Sequence, residues 1–161
     1  MKNPRFEFSY EEFTDIRELP TPDAELLEKA RQVTRQAYAP YSRFFVGAMA
    51  RLKNGQFTAG TNQENASYPV GICAERVLLA NAATLFPDIP IDTIAISYRS
   101  DEVGSDHPIS PCGMCRQALL EYETRTHQPI RLILAGQTGN IIVLKTVRHL
   151  LPLAFTPDEL Q

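Results

Sequence analysis

Three cysteines, each at the predicted start of a helix, are the residues of this 161-residue chain best suited to chemistry. Cys73 stands in ICAERVLL, and Cys112 and Cys115 form a C-x-x-C pair in PCGMCRQ. A lone cysteine is often a small buried hydrophobe, and a C-x-x-C pair alone also suits thiol redox chemistry. Neither interpretation accounts for all three thiols. One Zn²⁺ per chain, bound by three thiolates, does so and leaves a fourth tetrahedral position open for water, as in catalytic zinc sites.

Two charged residues follow the first cysteine. Glu75 is close enough to Cys73 to exchange protons with a metal-bound water. Arg76 lies at i+3 from Cys73 on the same side of the predicted helix, where its guanidinium would offset the negative charge of three thiolates. The alternatives are a first-turn glutamate that interacts with the helix dipole and a solvated surface arginine.

None of the three histidines, His107, His127 and His149, stands at ligand spacing beside a cysteine. We expect them to be surface or helix-end residues. His107 lies in the loop before Cys112, so a closed structural site with His107 as fourth ligand stays open as an alternative.

Composition limits the classes of function. The net charge is −3, which would repel a phosphate backbone, so we expect no nucleic-acid partner. No apolar run approaches the roughly 20 residues that span a bilayer, so we expect a soluble protein without membrane contact. An odd number of cysteines and an acidic N-terminal stretch favour a cytoplasmic protein over a disulfide-bonded secreted one. The length predicts a single domain over 1–161, with 1–20 as an N-terminal extension.

The elements that position these residues follow from periodicity and turn signals. We predict a helix over about 22–38 that starts after Thr21 as N-cap, a hairpin turning at Asn54-Gly55, a helix over about 71–85, a strand at 91–98, a helix over about 112–124 and two antiparallel strands within 130–136 and 140–147. This order predicts an α/β fold, a three-layer α/β/α sandwich on a mixed five-stranded sheet. Both crossover helices begin where strands end, the usual ligand-binding edge of open α/β sheets.

Four stretches carry a resemblance to a known family. AYAPYSRFFVGA, GTNQENASYPVGICAER, ISPCGMCRQ and LLPLAF resemble the homotetrameric cytidine deaminases with three cysteine zinc ligands, and the resemblance runs from about residue 22 to residue 155. The resemblance implies that family's fold and the hydrolysis of cytidine and 2′-deoxycytidine to the uridines and ammonia, in pyrimidine salvage. Glu75 would take a proton from zinc-bound water and pass protons to N3 and the departing amino group.

The resemblance also implies substrate contacts. Asn62 and Glu64 would bind the ribose, Phe44 would stack near the pyrimidine, and the backbone at Ala66 would hold the base. Phe155 would reach a neighbouring subunit's site, so active sites would be shared in a homotetramer. The residues themselves leave two alternatives open: Asn62 and Glu64 cap their own loop, and Phe155 packs on its own subunit.

Rival functions predict different residues. A blasticidin-type deaminase is expected to lack Glu64 and Arg76, and a polynucleotide deaminase to be basic with a helix between the last two strands. A zinc-stabilised binding module or a thiol oxidoreductase would not need Glu75.

The first eighteen or so residues lie outside these motifs. Four aromatic residues nearly alternate there, which favours an added edge strand or a clip on a neighbouring subunit; they are Phe6, Phe8, Tyr10 and Phe13.

Overall fold

In the computed structural model, which describes residues 1–160, three helices pack on one sheet of six strands. The sheet order is β1-β6-β5-β4-β2-β3, and only β4 and β5 are parallel within it. The elements are β1 (Glu11–Phe13), α1 (Thr21–Val33), β2 (Phe44–Leu52), β3 (Phe57–Thr61), α2 (Ala74–Leu85), β4 (Ile91–Ser100), α3 (Gly113–Thr126), β5 (Arg131–Ala135) and β6 (Ile141–Leu144).

The sheet is mixed, as predicted, but the predicted number of five strands is wrong. The sixth strand, β1, comes from the N-terminal extension and pairs antiparallel with β6, with Phe13 opposite Ile141. It covers an edge that would otherwise present unpaired backbone groups. The expected edge strand is therefore confirmed, although of the four near-alternating aromatic residues only Phe13 lies in it. The side chains of Phe6, Phe8 and Tyr10 are exposed.

The predicted helix over 22–38 is too long. The predicted N-cap is also wrong: Pro20 is the N-cap, and Thr21 is the first residue of α1. The helix ends at Val33, where a 3₁₀ turn over Thr34–Gln36 follows. The Thr34 hydroxyl donates a hydrogen bond to the Arg31 carbonyl oxygen, a local contact that competes with regular helix. Beyond the turn, Tyr38 is extended because it pairs with Gln63. The other predicted helices and strands are confirmed to within a few residues at each end.

The predicted three layers are confirmed by the two core clusters. Strand β4 is apolar on both faces: Ile94 and Ile96 pack towards α2 and α3, whereas Ala95 packs towards α1. A strand covered by helices on both faces needs apolar residues at successive positions rather than an alternation with polar ones. None of the helices within residues 1–160 is long and apolar enough to cross a membrane.

Two glycines let helices approach the sheet closely. A Cβ atom on Gly60 of β3 would lie 2.2 Å from the Ala74 carbonyl oxygen of α2. A Cβ atom on Gly47 of β2 would lie 2.4 Å from the Ala30 carbonyl oxygen of α1, on the other face. Because Ala74 follows Cys73, the glycine in β3 sets how closely that cysteine sits over the sheet.

The topology brings the starts of α2 and α3 to one edge. Strands β3 and β4 both run antiparallel to β2, so their carboxyl ends point the same way. The chain leaves β3 towards α2 and β4 towards α3 from that edge, where sheets of this kind bind ligands.

Candidate active site

The three cysteines come together at the starts of these two helices. Cys73 is the N-cap of α2, Cys112 is the N-cap of α3, and Cys115 lies in the first turn of α3. The Sγ atom of Cys112 is 3.9 Å from that of Cys73 and 3.4 Å from that of Cys115, and all three lie within 4.8 Å of one another. Tetrahedral zinc with Zn–S bonds of about 2.3 Å separates its sulfurs by roughly 3.8 Å. The spacing therefore fits one zinc ion.

The pKa shifts of the thiols also favour a bound metal ion. A hydrogen bond from the Cys115 thiol lowers the pKa of Cys73 to about 6, and Arg76 adds a smaller effect in the same direction. The hydrogen bond to Cys73, together with burial, raises the pKa of Cys115. The contact between these two thiols therefore favours ionisation of Cys73 at the expense of Cys115. A divalent cation is the partner that lets all three ionise, and soft thiolate donors suit Zn²⁺.

Glu75 lies beside this cluster, in the first turn of α2. Only 6% of the residue is exposed, and burial raises the pKa of its carboxyl, against smaller opposing effects of its own N–H and the Cys115 thiol. None of the ion pairs within residues 1–160 involves Glu75. Burying an unpaired acid is costly, so its place next to three thiols fits a chemical function better than a structural one.

A backbone bridge brings the loop over 64–71 next to the thiols. Gln63 and Ile72 exchange two backbone hydrogen bonds, of 2.9 and 3.0 Å, and Tyr38 pairs in parallel with the other side of Gln63. The bridge closes the loop immediately before Cys73. Residues at the start of the loop, such as Glu64, are therefore held close to the first turn of α2.

Glu64 lines the entrance formed by this loop. Its Oε2 atom accepts hydrogen bonds from the backbone N–H groups of Tyr41, at 2.9 Å, and Ser42, at 3.2 Å. Burial acts to raise the pKa of Glu64, but the bonds from Ser42 and Tyr41 outweigh it and hold the pKa below its usual range. The carboxylate is thus ionised and fixed to the turn opposite. That contact agrees with the capping alternative, and it also leaves the second carboxylate oxygen available.

Asn62 is tied to the start of β2. Its Oδ1 atom accepts a hydrogen bond from the Val46 backbone N–H at 2.7 Å, and its Nδ2 atom donates to the Phe44 carbonyl oxygen at 2.8 Å. A side-chain amide keeps one N–H and one lone-pair direction after two such bonds. Asn62 therefore positions the backbone of Phe44 and retains capacity for one more polar contact.

A cleft of about 340 Å³ lies between the turn before β2 and the loop before α2. That volume is within the usual range of small-molecule pockets. Its lining consists of Tyr41, Ser42, Glu64, Asn65, Tyr68 and Gly71. Of these residues, only Glu64 was predicted from the sequence. The two tyrosines stand beside prolines in predicted loops, as P-Y-S and S-Y-P, and aromatic residues at such turns were the available signal.

Known proteins are similar to this chain. The family model for the cytidine and deoxycytidylate deaminase zinc-binding region matches residues 20–128. A cytidine deaminase from Halalkalibacterium halodurans is 38% identical over 135 residues, which cover 84% of this chain and 95% of that protein. The chain belongs to the cytidine deaminase family.

Solved structures of cytidine deaminases have the same fold. The crystal structure of the enzyme from Burkholderia pseudomallei superposes with a TM-score of 0.71 at 35% identity and covers 81% of this chain and 97% of that one. The enzyme from Mycobacterium tuberculosis gives a TM-score of 0.65 at 28% identity, with 84% and 98% covered. The family's zinc-binding region and the three-thiol donor set agree on Zn²⁺ as the cofactor.

Four predicted substrate residues of this deaminase do not line the cleft: Phe44, Asn62, Ala66 and Phe155. Ala66 is exposed in the loop before α2 and does not line the cleft. Phe155 is 58% exposed, and its carbonyl oxygen accepts a hydrogen bond from Gln117 at 3.0 Å. The Arg76 side chain is half-buried and has no hydrogen bond within residues 1–160.

The histidines stand apart from the metal ligands. No histidine joins the group of candidate metal ligands among residues 1–160. The ring of His107 contacts the Tyr98 hydroxyl instead, which contradicts a fourth-ligand position for it in this structure. His127 ends α3 in a left-handed conformation, and His149 lies in the 3₁₀ turn Val147–Leu150.

Proposed function

We propose that this protein hydrolyses cytidine and 2′-deoxycytidine to uridine and 2′-deoxyuridine with release of ammonia, as in pyrimidine salvage. The observation that carries the proposal is the juxtaposition of three unpaired thiols with the buried carboxylate of Glu75, beside a cleft that Glu64 lines. The relatives that match over most of the chain are named cytidine deaminases. No second function fits the geometry equally well, because a redox pair would need only Cys112 and Cys115.

Each residue at the thiol cluster has a distinct task. Cys73, Cys112 and Cys115 would hold the zinc, which when bound supplies the Lewis acidity that activates water for attack on C4 of the pyrimidine. Glu75 moves protons, first away from the attacking water and then to N3 and the departing amino group. Arg76, whose charge already lowers the pKa of Cys73, offsets the negative charge of the thiolates.

The ribose contacts are assigned to the loop before α2. Both bonds from the facing turn use Oε2 of Glu64, and its Oε1 atom has no hydrogen bond within residues 1–160, so we assign Oε1 to a ribose hydroxyl. Asn62 supplies its remaining polar contact to the same sugar. On the family resemblance we assign Phe44 to stacking near the pyrimidine and the backbone at Ala66 to holding the base, although neither residue lines the cleft.

We further propose a homotetramer with shared active sites. Support comes from exposed apolar side chains near the loop before α2, at the start of α3 and in the C-terminal segment; they are Tyr68, Val70, Met114, Leu153 and Phe155. These side chains flank the site and would be available for contacts with other copies of the chain. Phe155 would then cover a neighbouring subunit's site. A native mass of four chains is the expected result.

Two further parts of the proposal concern the chain as a whole. We take residues 1–161 as one domain, with 1–20 as an extension whose strand β1 completes the sheet. We place the protein in the cytoplasm, because Cys73, Cys112 and Cys115 are all unpaired and reducing conditions keep such thiols available for metal.

A parallel substrate assay tests the function. Purified zinc-loaded protein is incubated with cytidine, 2′-deoxycytidine, cytosine and CMP, and deamination is followed by ultraviolet absorbance. We expect turnover of the two nucleosides, weak or no turnover of the free base, which lacks the ribose that Glu64 would bind, and none of CMP. Activity on CMP without activity on cytidine would contradict the substrate assignment.

A further inference from the structure

Tyr98 is a fully buried aromatic residue with no part in the zinc chemistry. It lies near the carboxyl end of β4, and its ring stacks on that of Phe44 with centroids 4.7 Å apart and planes 16° apart. Both residues belong to the face of the sheet that α2 and α3 cover, since they continue the rows of Val46 on β2 and Ile96 on β4. The stack is therefore on the same face, and at the same edge, as the helix starts that carry the thiols.

The Tyr98 ring is fixed through its hydroxyl. The oxygen donates a hydrogen bond to the Gly104 carbonyl oxygen at 3.1 Å and lies 3.2 Å from a ring nitrogen of His107. Both partners belong to the loop over 101–111, which leads to Cys112. A buried hydroxyl with two partners holds its ring in one orientation.

The loop that holds Tyr98 is itself packed against the turn between β5 and β6. The backbone N–H of Gln137 donates to the Ser105 carbonyl oxygen at 2.6 Å. A Cβ atom on Gly139, whose φ is +77°, would lie within bonding distance of the Asp106 carbonyl oxygen, so the loop and the turn are in direct backbone contact. Tyr98 is thus attached to a rigid support, whereas Phe44 is only half-buried at the start of its strand.

We infer that Tyr98 is a positioning residue for pyrimidine binding, which it serves by holding the ring of Phe44 in place. Asn62 fixes the backbone of Phe44 and Tyr98 covers one face of its ring, so the side chain has little freedom left. A ring that is already ordered loses less conformational entropy when the base binds. The inference rests on the proposed function, because it takes the ligand that meets Phe44 to be a pyrimidine nucleoside.

The expected effect is on binding more than on turnover. A stacked aromatic pair contributes the equivalent of roughly two- to tenfold in an equilibrium constant beyond its buried area. Because Phe44 does not supply a reacting atom, loss of its support weakens ground state and transition state together, which raises KM and leaves kcat nearly unchanged. Tyr98→Leu, which removes the stack, should raise KM for cytidine about three- to tenfold. Tyr98→Phe keeps the stacked ring but removes the hydroxyl that fixes it, so its KM should lie between those of the parent and Tyr98→Leu.

A double-mutant cycle separates positioning from general stability. KM for cytidine, kcat, zinc content and the dissociation constant for uridine are measured for the parent, Phe44→Leu, Tyr98→Leu and the double variant. If Tyr98 acts through Phe44, the double variant binds no more weakly than Phe44→Leu alone, because the second substitution removes support from a ring that is already absent. If Tyr98→Leu does not yield zinc-loaded protein, Tyr98→Met, which keeps a flexible apolar chain of similar length, replaces it in the cycle.

The outcomes distinguish this inference from the proposed function. The inference would be overturned if the two substitutions weakened uridine binding independently, so that their effects multiplied in the double variant, or if zinc-loaded Tyr98→Leu had an unchanged KM. Turnover of cytidine by the parent would uphold the proposed function in either case. A parent that binds uridine with coupled dependence on Phe44 and Tyr98, yet deaminates no nucleoside, would contradict the proposed reaction and still support the positioning role.

Discussion

In the part of the chain that the structure describes, buried acidic groups are paired with cations at one end of the central strands and unpaired at the other. At the amino ends of β4 and β5, beneath the start of α1, every carboxylate of the local cluster is matched by cations. At the carboxyl end, the starts of α2 and α3 gather three thiols and a buried carboxylate without a cationic ion-pair partner within residues 1–160. The first arrangement stabilises the fold, and the second leaves chemistry to be completed by a metal and a substrate.

Asp23 is the centre of the matched end. Only 3% of the residue is exposed, and its two carboxylate oxygens lie 3.3 Å from Arg51 and 2.9 Å from Arg131. Arg51 also binds Asp92 at 2.9 Å, and Lys53 binds the other oxygen of Asp92 at 2.7 Å. These contacts join α1 to β2, β4 and β5. Buried charges of this kind persist only when each is paired, as here.

The unpaired carboxyl of Glu75 is informative because the same chain pairs its buried charges elsewhere. Glu75 is nearly as buried as Asp23, yet its carboxyl interacts with a thiol, whereas the Asp23 carboxylate pairs with two arginines. Substitutions at the two ends should therefore change different quantities: zinc and turnover at the carboxyl end, and the free energy of unfolding at the amino end.

The largest effect is expected at the thiols. Cys112→Ala removes one of three donors, and because zinc affinity depends on the full donor set, the variant should lose nearly all bound zinc and, with it, deamination of cytidine. Metal analysis of the purified protein measures this directly. Full zinc retention in the variant would show that Cys112 is not a ligand.

Asp23→Ala probes the opposite end. Two partly exposed guanidinium groups would lose their buried partner, so the free energy of unfolding should fall by about 2–3 kcal/mol, less than for a fully buried pair. Urea unfolding of zinc-loaded protein measures the change. Glu28→Ala, which removes a carboxylate paired with Arg31 on the exposed side of the same helix, is the control and should cost below about 1 kcal/mol. Loss of turnover in folded, zinc-loaded Asp23→Ala would contradict the separation of the two ends.

Substitutions at the two close-packed glycines allow the two faces of the sheet to be compared. Gly60→Ala and Gly47→Ala each force a helix away from its strand and should each cost about 1–3 kcal/mol. Only Gly60→Ala displaces the helix that carries Cys73 and Glu75, so it alone should lower kcat for cytidine at equal zinc loading. Equal losses of kcat in both variants would mean that the position of α2 does not control the site.

The smallest effect is expected at Asp92. Burial acts to raise the pKa of this carboxyl, but hydrogen bonds from Lys53, Arg51 and Thr93 outweigh it and lower the pKa from 3.8 to about 2. A folded-state pKa below the unfolded value stabilises the protein above about pH 4 and loses that contribution as the pH falls towards 2. Asp92→Asn should therefore unfold more easily than the parent by about 1 kcal/mol at pH 7. The difference should shrink by about half at pH 3; a difference that grows on acidification would contradict this assignment.

Much of the site could be predicted because the types of its residues indicate its chemistry. Three soft donors in a chain with no other cysteine favour one zinc site, and Glu75 lies two residues from one of them. Glu64 came from a family motif rather than from physics. Likewise, β4 was predictable because an apolar run of that length suits a strand buried on both faces.

The remainder depends on pairings between distant parts of the chain. Arg131 meets Asp23 across 108 positions, and no local pattern marks such a pair. The β1 strand exists because β6 offers a free edge. Helix α1 stops early because the Thr34 hydroxyl bonds to the Arg31 carbonyl oxygen and, beyond the turn, Tyr38 pairs with Gln63. The stack of Tyr98 on Phe44 follows from strand register, which a one-residue shift would abolish.

The central claim is that the unmatched carboxylate of Glu75 performs the proton transfers of cytidine deamination. Its most direct test is the turnover of cytidine by Glu75→Gln and the parent, measured by ultraviolet absorbance at equal zinc content. The amide keeps the shape of the side chain but cannot carry a proton, so turnover should fall by at least about 10²–10⁴-fold with zinc content and the free energy of unfolding nearly unchanged. Turnover within tenfold of the parent would contradict the account and leave Glu75 as a buried helix-end residue.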